Sequence, residues 1–171
     1  QWREKYPQNP FVLDVILKEA LRDSKDEVTE VLVPLLNDYA KARPVDPRPH
    51  KLLAAYYLKN NNGPAAIEHL EYLDAREQLS PGYAVELSRQ YAAAGDMSKA
   101  AAKAARATQI APYEAAYREY AAALAIRAKD FTTAQRHIEA LIALEPDRPV
   151  HKQRLESLER MKVSTAPAIE K

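Results

Sequence analysis

Between Pro81 and Tyr113 the chain reads as one helix, a Gly95-Asp96 turn, a second helix and a stop at Pro112. The same order of small, large and stop residues returns when the sequence is shifted by 34 places in either direction. A fixed period of this length marks a stacked helical repeat, in which each hairpin buries its apolar face only against its neighbours. The register is cleanest over 47–80, 81–114 and 115–148, where Leu53, Leu87 and Ala121 share one place and Ala54, Ser88 and Ala122 the next. Tyr57, Tyr91 and Ala125 follow in the first helix, and Ala66, Ala100 and Ala134 open the second. Leu70, Ala104 and Ile138, then Leu73, Ala107 and Leu141, complete that helix before the unit closes on Gln78, Pro112 and Pro146. Small residues let two helices approach closely while the large ones fill the gaps. Each proline stop forbids a continuous rod and turns the chain back.

The flanks are read from the same template. Residues 1–9, with Trp2 and Pro7 in the places of Ala107 and Pro112, match the end of a preceding hairpin, so the sequence reads as a piece of something longer. Residues 10–46 form a divergent hairpin with three extra residues; its second helix carries Val28, Val31, Leu32, Leu35, Leu36 and Tyr39, and Pro34 in its interior is expected to kink it. After 148 the narrow apolar face of Leu155, Leu158 and Met161 predicts a capping helix over 149–163, followed by a frayed tail at 164–171.

These residues resemble the tetratricopeptide repeat family, whose 34-residue helix-turn-helix unit carries small, large and aromatic residues in this order and ends in proline. The resemblance implies an all-α fold, a right-handed alpha-alpha superhelix of antiparallel hairpins over 1–163. It also implies a concave groove, lined by the first helix of each hairpin, that receives a segment of a protein partner. In this sequence the groove residues are Lys51, Leu52, Ala55, Lys59, Val85, Glu86, Arg89, Glu119, Tyr120, Ala123 and Arg127. With Arg48, Leu58, Ala92, Ala93, Ala116 and Ile126 included, the face holds five basic and two acidic side chains, net +3, in a chain whose formal net charge is +1. Lys18, Arg22 and Asp14 extend it to +4. Such a groove suits an acidic segment or a terminal carboxylate. Some family members clamp chaperone tails with Lys and Asn on successive first helices. Here only Lys51 matches, with Ala55, Glu86, Ala116 and Tyr120 in the other places, which disfavours that clamp.

Other chemistries find little support. Cysteine is absent, removing disulfides, thiolate metal sites and thiol nucleophiles. His50, His69, His137 and His151 are the only histidines, none with another three or four residues on, so no metal site or cofactor is expected. No His-Glu-x-x-His pair, phosphate-binding glycine loop or Gly-x-Ser-x-Gly elbow occurs, so no catalysis is expected. The 25 basic and 24 acidic residues give no case for nucleic acid, and no apolar run reaches membrane-spanning length. Two readings stay open: a protein-binding scaffold, or an accessory or oligomerisation part of a larger enzyme or envelope protein, with self-association through the N-terminal end near Trp2.

Overall fold

The computed structural model describes residues 5–24 and 27–165; Trp2 and the tail after 165 lie outside the described residues. Among them the chain is all-α, with nine α-helices and no strand. It divides into two compact units, Gln1–Glu77 and Gln78–Lys171.

The first unit contains α1 (Pro10–Asp23), a 3-10 turn (Glu30–Leu32), α2 (Val33–Ala42), α3 (Arg48–Lys59) and α4 (Gly63–Arg76). Asn9 starts α1 by accepting hydrogen bonds from the backbone N–H groups of Phe11 and Val12, with Pro10 at the first helical position where no N–H is needed. Successive helices pack on one another. Leu13 and Leu17 of α1, Leu35, Leu36 and Tyr39 of α2, and Leu53 of α3 form one buried cluster. A fully buried leucine of this kind contributes about 1.5–3 kcal/mol over its exposed state.

Pro34 does not kink a helix. It occupies the first turn of α2, because a single 3-10 turn over Glu30–Leu32 precedes the α-helix, which begins only at Val33. Val31, expected on the apolar side, is 84% exposed for the same reason. From Leu32 onward α2 keeps the 34-residue register. Backbone N–H groups of Arg43, Glu77, Ala111 and Glu145 bond the carbonyls of Tyr39, Leu73, Ala107 and Leu141, equivalent places in four hairpins.

The second unit contains α5 (Pro81–Ala93), α6 (Met97–Ile110), α7 (Ala115–Arg127), α8 (Phe131–Leu144) and α9 (Pro149–Thr165), each packed on the next. Its centre is built from small side chains: Ala100, Ala104 and Ala107 on α6 are fully buried, as is Ala134 on α8. Their size lets Ser88 of α5 donate a 2.6 Å hydrogen bond to the Ala100 carbonyl, a helix-to-helix contact that a larger residue would obstruct. Among the described residues of α9, Leu158 is the one fully buried apolar side chain and His151 is buried in the first turn, while Leu155 is partly buried and Met161 is exposed. The terminal helix thus has one narrow apolar face.

The turns inside three hairpins share one backbone design. Asn61, Gly95 and Lys129, 34 residues apart, all adopt positive φ, at 56°, 84° and 59°. The N–H of the following residue reaches back five positions, from Asn62 to Tyr57 O, Asp96 to Tyr91 O and Asp130 to Ala125 O. That is the Schellman closure of a helix. The same Asn62, Asp96 and Asp130 then cap the next helix, their side chains accepting from the N–H groups of Ala65, Lys99 and Thr133.

Candidate functional site

Each unit carries part of the face expected to bind a partner. In the first, Lys51, Ala55 and Lys59 are exposed on α3, while Leu52 is half-buried against the leucine cluster. The cations are not bare. Lys51 lies 2.6 Å from Glu77, Lys59 pairs with Glu27, and Lys18 pairs with Asp14 at 2.7 Å. Arg48 bridges Asp14 and Asp46. Four basic side chains here meet four acidic ones, so this half of the face is close to neutral rather than positive.

Beneath it sits a buried polar network. Asp46 is 8% exposed; its carboxylate accepts from the Tyr39 hydroxyl at 2.8 Å, the Arg48 backbone N–H at 3.0 Å and Arg48 Nη2 at 2.6 Å. The Arg48 hydrogen bonds outweigh burial and hold the Asp46 carboxyl well below the usual carboxylate range. Burial, then the bond to Asp46, push the Tyr39 phenol up. Every member is satisfied, as a structural joint between α1, α2 and α3 requires.

In the second unit the face is formed by α5, α7 and α9. Val85 points away from solvent at 8% exposure, packed with Ala84, Ala107 and Tyr117. Tyr120 is half-buried against Ala100, Ala104, Ala121 and Leu124, its hydroxyl 3.4 Å from Ser88 Oγ. Ala93, Ala116 and Ala123 are exposed, and so is Arg127, which makes no ion pair among the described residues. Glu86 holds Arg89 at 3.4 Å and accepts from Gln90 Nε2 at 2.7 Å. Glu119 receives Arg154 Nη1 of α9 at 2.8 Å. Counting Arg154 with Arg89 and Arg127 against Glu86 and Glu119, this half keeps a net charge of +1. Arg154 was not legible as a site residue from the hairpin pattern. Its signal is its place 35 residues after Glu119, where α9 stands as one more first helix.

The histidines are more buried than the sequence suggests. His69 and His137 are at most 9% exposed and His151 is fully buried, its Nε2 2.7 Å from Glu145 Oε2. Burial pushes His50, His69 and His137 down from the ordinary imidazole value. Among the described residues no three His, Cys, Asp or Glu side chains gather as a metal site, and no helix is long and apolar enough to cross a membrane.

No family model and no curated protein matches the sequence. Solved structures do. A crystal structure of MamA superposes with TM-score 0.62 at 16% identity, covering 90% of this chain and 82% of that one. MamA from Desulfovibrio magneticus RS-1 gives 0.56 at 21% identity, covering 86% and 82%. The first TPR of Spaghetti (RPAP3), bound to the HSP90 peptide SRMEEVD, gives 0.53 at 15% identity, covering 70% and 99%. At these identities the likeness is one of fold.

Proposed function

From the fold of a tetratricopeptide-type helical repeat domain, we propose that this chain is a non-catalytic scaffold that binds a segment of a protein partner across α5, α7 and α9. The observation that carries the reading is the exposure of Ala93, Ala116 and Ala123 beside Arg127. Small apolar side chains at the surface contribute nothing to the repeat's own packing, yet they admit a second backbone at close range. The cationic excess of Arg89, Arg127 and Arg154 favours an acidic segment, with association that weakens as salt rises. Fold relatives solved with a peptide in place, such as the RPAP3 domain, support the peptide-binding class. The experiment is charge reversal of Arg89, Arg127 and Arg154 to Glu, followed by affinity measurements on partners recovered by pull-down. Weakened, salt-dependent binding is the expected outcome; unchanged affinity removes this face from the interface.

One observation favours a second reading, in which the domain serves assembly. On α1, Phe11 is 76% and Val15 56% exposed, and with Val12, Ile16 and Glu19 they line an open hollow of about 470 Å³. An exposed apolar face of this kind suits self-association or docking within a larger protein. Sedimentation over a concentration series separates the two: a monomer throughout counts against assembly by this chain alone.

A further inference from the structure

We propose that His50 and His69 form a two-nitrogen site for a borderline divalent transition ion such as Cu²⁺, Ni²⁺ or Zn²⁺. His50 stands in the first turn of α3 and His69 in the middle of α4, and their Nδ1 atoms face each other at 3.1 Å. Two imidazole nitrogens that share one ion at about 2.0–2.1 Å stand this far apart when the angle at the metal is roughly 95–100°. That angle lies between the square-planar and tetrahedral geometries these ions adopt.

Both rings are held. His50 stacks on Tyr72 with centroids 3.7 Å apart and planes 12° from parallel, and Tyr72 is fixed by donating to the Pro44 carbonyl at 2.6 Å. His69, 6% exposed, lies parallel to the Tyr57 ring at 5.7 Å. An ion therefore meets two rings whose orientation this packing already restricts. Without a metal the facing nitrogens require one ring to carry its proton on Nδ1 and the other on Nε2. With a metal, both protons sit on Nε2. Burial keeps both imidazoles neutral at neutral pH, so the lone pairs are available, and the nearby Glu68 carboxylate favours a cation at this place. Only two protein donors converge, so water completes the coordination and the ion exchanges readily.

The test is a titration of the full chain with Ni²⁺ or Zn²⁺ at pH 7.5, followed by long-range ¹H–¹⁵N spectra of the imidazoles. The expected result is saturable one-to-one binding that converts both His50 and His69 to the Nε2–H form. Cu²⁺ binds more tightly than either ion, and binding weakens as acidification protonates the imidazoles. His50→Gln and His69→Gln, each checked for helix content, should lower affinity on the order of tenfold or more, since half the protein donors are removed. Metal binding that leaves both imidazole spectra unchanged, or that survives in the double variant, overturns the assignment. Absence of saturable binding overturns it as well.

Discussion

Asp46 offers the sharpest test of how the first unit is held together. Asp46→Asn keeps the shape of the side chain but turns one acceptor oxygen into an NH₂ group, which cannot accept from both the Tyr39 hydroxyl and Arg48. Tyr39 has no exposed surface, and its other acceptor, Asp14 Oδ1, stands at the longer distance of 3.3 Å, so weakening the Asp46 bond costs up to the buried-donor penalty of about 1–3 kcal/mol. Arg48 is half exposed and rehydrates, so loss of its pairing adds only about 0–1 kcal/mol. The expected destabilisation is about 1–4 kcal/mol, read from urea unfolding by circular dichroism together with hydrogen exchange of α1 to α3. In a cycle with Tyr39→Phe, the coupling should reach at least about 1 kcal/mol, because the two side chains touch. The pH dependence has a fixed sign. The native carboxyl ionises below its unfolded value of about 3.9, so its contribution is complete well above that pH and is lost as pH falls through it. The gap between wild type and variant should therefore narrow on acidification from about pH 5 toward pH 2. A loss under about 0.5 kcal/mol, within the range of ordinary surface substitutions, refutes the network as a joint, as does a gap indifferent to pH.

Three further outcomes follow from the packing and the turns. Lys129→Gly relieves a left-handed backbone at φ 59° and should raise stability by about 0.5–1 kcal/mol in thermal unfolding, against the usual penalty of glycine. Ala100→Leu places three extra carbons where Ser88 reaches the Ala100 carbonyl, and should lower stability by about 1–3 kcal/mol in urea titration. His50, His69 and His137 all ionise below the unfolded value of about 6.5. Their neutral forms are the native ones, and stability should be level above that pH and fall as pH drops below it. Melting temperatures at pH 7.5 and 5.5 check this, and His69→Gln and His137→Gln should each flatten the slope.

The architecture was legible because a repeat states its geometry several times. One ambiguous place, such as Ala121 where Leu53 and Leu87 stand, is corrected by its neighbours in register. A kink at Pro34 is what apolar spacing predicts when it runs on through Val28 and Val31, because periodicity alone does not show that the α-helix begins only at Val33. The site was less legible for a different reason. Summing charges over the first helices treats Lys51 and Lys59 as free, whereas their acidic partners come from Glu77 and Glu27 in connecting segments. Likewise Arg154 meets Glu119 across a helix layer, and His50 meets His69 across 19 residues of sequence. Pairs of this kind are fixed by how helices cross, which no local spacing encodes.

Asn62, Asp96 and Asp130 each belong to two helices at once, and this decides where the chain can absorb a change of length. One added residue in such a turn separates the amide that closes the first helix from the carboxylate or amide oxygen that opens the second, and both ends lose their partners together. Grafted epitopes, tags or cleavage sites are therefore excluded from these three turns. They belong in the connections between hairpins, where Leu79 and Tyr113 stand 91% and 84% exposed.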